Sequence, residues 1–211
     1  MPTPPPRSQR PTQADRREAS ARRLLNAAIE HFADNGFART TAADIAATAG
    51  YSREMVRTRF GSKQEILEVL LREHFENVLI YPANTTDAGL DQILERIDRL
   101  VRLHAESPQL LQAILTVGFE APSADPWLTA RMGDWFTRAT DRIAELVVLG
   151  HADRSVRVEL DPQHEALSFV SECTGLCFGF MVGGTGPSFE VLLRAWRQRV
   201  EQHLSGSISR P

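Results

Sequence analysis

The sequence predicts an all-α protein: an N-terminal three-helix unit of helix-turn-helix type followed by a larger helical body, about nine helices together. Three observations predict it. Apolar residues recur at three- and four-residue steps along most of the chain, which is the period of an amphipathic helix. Ser, Thr and Asp stand at capping distance ahead of those stripes, with Pro just inside several starts. The one segment that alternates, 150–160 with Val156, Val158 and Leu160, is too short and too charged to demand a sheet.

The bulk properties agree. A length of 211 residues is ample to bury a core without a disulfide or metal staple. With 24% charged and 42% hydrophobic residues, the chain reads as globular rather than disordered. No apolar run approaches the ~20 residues that span a bilayer. The N-terminus lacks the apolar stretch of an export signal, so the expected compartment is the cytoplasm, where Cys173 and Cys177 stay reduced.

Residues 1–14, rich in Pro, predict a disordered basic arm carrying Arg7 and Arg10. From Asp15 the stripe Leu24, Leu25, Ala28, Ile29, Phe32 marks the first helix, which Asn35-Gly36 ends. Thr41 and Asp44 form a capping box that opens a short helix from Ala42 to Ala49, closed by Gly50. Ser52 caps a third short helix reaching Phe60. Ser62 with Glu65 makes a second capping box, opening a long helix through Leu79 that Tyr81-Pro82 stops.

The body continues in the same period. Leu90, Ile93, Leu94, Ile97, Leu100, Val101 and His104 form one stripe, and Leu110, Leu111, Ile114 and Leu115 form the next after Ser107-Pro108. Asp125-Pro126 opens a helix with Leu128, Met132, Trp135, Phe136, Ala139, Ile143 and Val147 on one face. Asp161-Pro162 opens another to Val182, and Pro187 opens the last. The boundaries expected are 15–61 for the helix-turn-helix domain, 62–205 for a ligand-binding and dimerisation domain, and 206–211 for a tail.

Charge is distributed unevenly. Residues 1–63 carry eleven basic against six acidic side chains, and the remainder thirteen against twenty-one. A basic end on an acidic body suits a polyanionic partner met by one end alone. Two short helices joined by a tight turn at Gly50 are the arrangement that sets a second helix into a DNA major groove. A nine-residue helix is roughly 13 Å long at ~1.5 Å per residue, against a groove about 12 Å wide. Ile45, Ala46, Ala49, Val56 and Phe60 are spaced to bury the pair, which leaves Arg53, Arg57, Thr58 and Arg59 outward.

The residues Gly36-Phe37, Thr40-Thr41, Ile45-Ala46, Gly50, Ser52, Phe60, Ser62-Lys63 and Ile66-Leu67, in that order, resemble the DNA-binding domain of the TetR family of transcriptional regulators. The resemblance covers about residues 17–67. It implies that Thr40, Ser52 and Lys63 meet phosphates, with oriented helix-terminal amides at Thr41 and Ser62 beside them. It implies that Arg53, Glu54, Met55, Arg57, Thr58 and Arg59 face the groove. Glu54, Arg57 and Arg59 depart from the family's usual residues, so the operator does not transfer from relatives. Arg7, Arg10, Arg16 and Arg17 can track the DNA backbone or remain a solvated tail.

In that family the body dimerises and often encloses a small-molecule pocket. The helix from Pro162 is apolar nearly all round, and its small residues Ser168, Ser171, Gly175, Gly179 and Gly183 suit either a two-fold dimer interface or close packing within one chain. Aromatic residues Phe119, Trp127, Trp135, Phe136, Phe169 and Phe178, with His104, Thr140 and Cys173 as polar points, are candidates for a ligand pocket. The competing reading of each is plain core. Cys173 and Cys177, one helical turn apart, read as structural thiols, and His151, Asp153, Glu159, Asp161 and His164 are too irregularly placed for a metal site.

No cofactor and no catalytic apparatus is expected. The expectation is a ligand-responsive DNA-binding regulator, a repressor that occupies a palindromic operator as a homodimer. Its partners would be double-stranded DNA, a second copy and a small-molecule effector, with no membrane. Two alternatives remain: a helical small-molecule-binding or enzymatic domain in which the helix-turn-helix is structural, and a dimerising module controlled by a protein partner or by thiol oxidation.

Overall fold

The computed structural model describes residues 12–84, 86–183 and 186–205, and within them all but the side chain of Asn77. The predicted arm residues Arg7 and Arg10 lie outside the described residues. Helix α1 (Gln13–Arg39) opens two residues before its apolar stripe suggests, because Thr12 and Asp15 close a capping box. Thr12 Oγ1 accepts from the Asp15 N–H at 3.1 Å and the Asp15 carboxylate accepts from the Thr12 N–H at 2.7 Å. Arg16 and Arg17 therefore stand on the exposed first turn of α1 rather than in an arm.

At Gly36 the backbone leaves the helical region, with φ 75 and ψ −179, where the sequence places the stop. That φ strains any residue with a Cβ. Here the space is also taken, because a Cβ on Gly36 would stand 2.5 Å from the carboxylate of Glu120. Helices α2 (Ala42–Thr48) and α3 (Arg53–Phe60) follow, joined through Gly50 at φ 76.

Helix α4 (Lys63–Leu70) runs through a π-helical turn, Leu71–Phe75, into α5 (Glu76–Leu79). The sequence predicts one helix over this rod; the wide turn inside it is new. Then come α6 (Gly89–Glu106), α7 (Pro108–Ala124), α8 (Pro126–Asp153), α9 (Pro162–Met181) and α10 (Phe189–Ser205). Taking the rod as one, nine helices and no strand are present among the described residues. Asp125 and Asp161 cap α8 and α9, accepting from the N–H groups of Trp127 and His164 at 2.8 and 2.7 Å.

One core runs through the molecule. Leu24, Ala28, Phe32, Phe37, Ile45 and Val56 are buried in the first three helices, and Ile66, Leu67, Leu70 and Leu71 continue it into the body. The α6 start crosses α8 at backbone distance, since a Cβ on Gly89 would lie 2.3 Å from the Gly150 nitrogen. Arg96, fully buried on α6, pins the chain after α5 by donating to the Tyr81 carbonyl at 2.5 Å, and it also donates to the Gln92 carbonyl of its own helix at 3.0 Å. Burial lowers its pKa to about 10, so it stays protonated at neutral pH.

Helix α9 is buried on one side only. Ala166, Phe169, Val170, Cys173 and Cys177 face the core, while Leu167, Phe178 and Val182 are at least half exposed. Ser171, Gly175 and Gly179 are exposed beside them, and a Cβ on either glycine would meet nothing within 4 Å. Within the chain, the small-residue strip is therefore not filled by a neighbouring helix.

Candidate nucleic-acid interface and ligand cavity

Three helix ends converge on one open groove. The start of α2 (Thr41, Ala42), the first turns of α3 (Arg53, Glu54, Arg57) and the start of α4 (Ser62, Lys63) line it together. These residues lie up to twenty-two positions apart in the chain, and the turns at Gly50 and Gly61 bring them to one face. Ser52, Arg53, Arg57 and Thr58 are exposed, Met55 is half-buried against the core, and Val56 holds the helix down from beneath. An exposed, mostly basic helix beside an open groove can take a polyanion.

Several predicted contact residues are already engaged. Thr40, 1% exposed, donates its hydroxyl to the Gly36 carbonyl at 2.6 Å, so it closes the α1–α2 turn and offers no side chain to a phosphate. At the α2 start, Asp44 accepts from the Thr41 N–H at 3.0 Å and from the Thr41 hydroxyl at 2.6 Å. This is the capping box the sequence predicts; it closes the Thr41 amide, which does not stand free for a phosphate, and hydrogen bonding from Thr41 holds the Asp44 pKa below the usual value. Arg59 is half-buried and its Nε donates to Ser20 Oγ at 3.1 Å, tying α3 to α1 instead of facing outward.

Two further details differ from the sequence reading. Ser52 occupies the cap position of α3 but makes no side-chain cap bond, so its hydroxyl is unspent by the helix. Ser62 accepts from the Glu65 N–H at 3.2 Å without the reciprocal bond of a full capping box. Glu54 forms a forked pair with Arg57, with Nε and Nη2 donating at 2.8 to 3.1 Å, which lowers the Glu54 pKa through that bond. Arg53 has no partner among the described residues and is the unencumbered cation of the helix.

Lys63 is half-buried. Its ammonium donates to the carbonyls of Phe37 at 2.6 Å and Thr40 at 2.7 Å and lies 4.2 Å above the Phe37 ring. Burial lowers its pKa, against the opposing pull of Glu120 and Asp125. The Phe37 residue is held from its other side as well, because the Glu120 carboxylate on α7 accepts the N–H groups of Phe37 at 2.6 Å and Ala38 at 3.1 Å. The turn between α1 and α2 is therefore gripped by α4 and α7 together.

One turn of α7 away lies a cavity of about 170 Å³, bounded by the rod and by α6, α7, α8 and α9. Of the candidates from the sequence, Phe119, Trp135, Phe136 and Cys173 line it. The other candidates do not. Phe178 packs edge-on against Phe119 at 5.4 Å from the exposed side of α9, and Phe169 packs on Trp196 at 4.7 Å. Trp127 lies against Phe37 at 5.7 Å, and His104 meets the rings of Phe180 and Phe189 edge-on at 5.2 Å. The Thr140 hydroxyl donates to its own helix, to the Phe136 carbonyl at 2.9 Å.

Residues not foreseen complete the wall, among them Phe75, Leu79, Leu115, Met132, Thr174 and Cys177. Phe75 belongs to the π-helical turn and stacks on Trp135 at 4.8 Å, which puts the rod in contact with the cavity. The rod is also fastened to α8: Arg131 donates to Glu68 at 2.8 Å and to Glu76 at 2.5 Å, and Arg138 donates to Glu76 at 2.7 Å. Burial pushes the Glu76 pKa up, and the two arginines more than offset this and hold it below the ordinary value. Cys173 and Cys177 are free buried thiols, and their mutual hydrogen bond and burial raise the Cys173 pKa.

Elsewhere, two of the polar residues weighed as metal ligands have structural partners. Asp153 accepts from the Gly89 N–H at 2.7 Å, and Asp161 caps α9. Among the described residues no helix is long and apolar enough to cross a membrane.

A family model described as bacterial regulatory proteins, tetR family, matches residues 24–70, which span most of α1 through α4. Over 108 residues the chain is 30% identical to an HTH-type transcriptional repressor of Streptomyces coelicolor, covering 51% of this chain and 54% of that protein. The chain thus spans about half the length of the curated relative it matches. Among solved structures, a regulatory protein in the tetR family from Rhodococcus RHA1 aligns at 21% identity and TM-score 0.65, over 88% of this chain and 96% of that one. A transcriptional regulator from Saccharomonospora viridis, solved with choline, aligns at 18% identity and TM-score 0.70, over 89% and 98%. At these identities the structural likeness establishes a common fold.

Proposed function

We propose that the chain, whose residues 24–70 match the tetR family of bacterial regulatory proteins, is a DNA-binding transcriptional regulator. It represses as a homodimer on a palindromic operator and responds to a small molecule held in the body. The observation that carries this is the convergence of Arg53, Arg57, Ser62 and Lys63 on one open groove beside the exposed face of α3. Arg53 and Thr58 read base edges; Ser52, Arg57 and the α4 start position the phosphates.

One eight-residue recognition helix reads too few base pairs to find a site alone, so the reading requires two copies. The exposed face of α9, with Leu167, Phe178 and Val182 around Gly175 and Gly179, supplies a self-complementary surface open to close approach. Repression is the activity in the name of the Streptomyces relative. The cavity is the effector site, because Phe75 on the rod forms part of its wall and Lys63, at the rod's start, bonds the DNA-binding turn. An effector shifts operator affinity only as far as it prefers one of the two arrangements of that rod.

Footprinting on the DNA flanking the gene, together with the mass of the complex, tests this. The expected result is an inverted repeat protected by two copies, with half-site centres about 34 Å apart or a multiple of it. Binding by a monomer to an asymmetric site contradicts it.

A further inference from the structure

We infer that the molecule taken by the body is a small, uncharged aromatic compound of a single ring. The inference rests on the reading of the cavity between the rod and α9 as the effector site, and adds its chemistry. The first observation is size. About 170 Å³ is close to the roughly 150 Å³ apolar cavity that accepts benzene, so the space between the helices holds about one ring.

The second observation is charge. Every side chain that lines the cavity is neutral, and Arg131 and Arg138, which donate to Glu76, are not among them. An ionised ligand would lose its hydration and find no counter-charge there. Cys173 does not supply one, since its hydrogen bond with Cys177 and its burial keep it protonated.

The third observation is the make-up of the wall. Four aromatic rings, Phe75, Phe119, Trp135 and Phe136, and three sulfurs, those of Met132, Cys173 and Cys177, surround the space. Offset and edge-on ring contacts and sulfur-to-ring contacts both favour a flat π system over a saturated one of equal volume. Polar capacity is small but present. Trp135 is 8% exposed and its indole nitrogen is buried away from the space, so the wall offers a ligand little hydrogen bonding. A neutral ring bearing at most one weakly polar group matches these features together.

The test follows the melting temperature of the full-length protein with three probes: acetophenone, benzoate, and cyclohexyl methyl ketone. Acetophenone is expected to bind at least tenfold more tightly than benzoate and a few-fold more tightly than the saturated ketone. Filling the space from two different walls, with Leu115→Phe and separately Cys177→Phe, is expected to remove the acetophenone response in whichever variant still binds operator DNA. Benzoate binding as tightly as acetophenone overturns the inference, as does a response that survives both filled cavities. Absence of any ketone binding in a protein that still holds its operator overturns the ligand class and leaves the DNA-binding reading in place. Failure of the untreated protein to bind duplex strikes at that reading instead.

Discussion

The two ends of the Lys63–Leu79 rod stand in opposite environments. At one end, Lys63 and Ser62 border an open groove with Arg53 and Arg57; at the other, Phe75 and Leu79 face an apolar cavity that no ionised side chain lines. The difference teaches how the work divides. A surface rich in exposed cations attracts a polyanion over nanometre distances and depends on salt. A neutral cavity discriminates by shape and by the cost of stripping water from charge. Neither end can do the other's task, so any message between them passes through the rod and the polar grips on it.

The sharpest way to break that comparison is to discharge the open end. Arg53→Ala with Arg57→Ala should lower operator affinity by well over tenfold, at about 1–3 kcal/mol for each guanidinium that reaches a base, while ring binding in the cavity stays unchanged. A gel-shift titration beside a thermal shift with acetophenone reads both. A loss of ring binding would mean that the two ends are not separable as described.

Cutting a grip between the ends comes next. Glu120→Ala removes two charge-assisted hydrogen bonds to the Phe37 and Ala38 amides, a contribution of about 1.5–3 kcal/mol for a bond to a charged group. The expected outcome is a lower melting temperature and a smaller ligand effect on operator affinity, with ring affinity itself retained. An undiminished ligand effect would leave the rod as sole connector.

Thr40→Val and Arg59→Ala sharpen the comparison from inside the reader. Both residues resemble phosphate contacts in sequence and are engaged internally in the structure. Each substitution should cost stability, about 1–3 kcal/mol for the buried Thr40 hydroxyl partner and about 0.5–1.5 kcal/mol for Arg59, with little change in the salt dependence of binding. A drop of about one in the salt slope for Arg59→Ala would return it to the DNA face.

The smallest effect is acidic. Because the folded Glu76 carboxyl titrates below its ordinary 4.5, its contribution is complete above that pH and drains away as pH falls through the lowered value. The melting-temperature advantage of wild type over Glu76→Gln should therefore shrink on acidification below 4.5.

What the sequence reveals follows the range of the interaction. Caps such as Thr41 with Asp44 are complete within four residues, and the stops at Gly36 and Gly50 depend on local φ, so helices and motif order are legible. The roles of Thr40, Arg59 and Lys63 are not, because their partners are the Gly36 carbonyl, Ser20 and the Phe37 carbonyl, brought near only by the fold. The π-helical turn leaves the apolar period nearly intact, which hides the displacement of Phe75 toward Trp135. Cavity walls fare worst. Phe75, Met132 and Cys177 share their spacing with core residues, and no periodicity distinguishes an apolar side chain facing a void from one facing another side chain.

The most direct measurement is the salt dependence of duplex affinity for the full-length protein. The account predicts that log K falls linearly with log salt concentration, with a slope of magnitude several units that drops by about one for each of Arg53 and Arg57 replaced by Ala. Affinity indifferent to salt, or a slope untouched by both replacements, would contradict it.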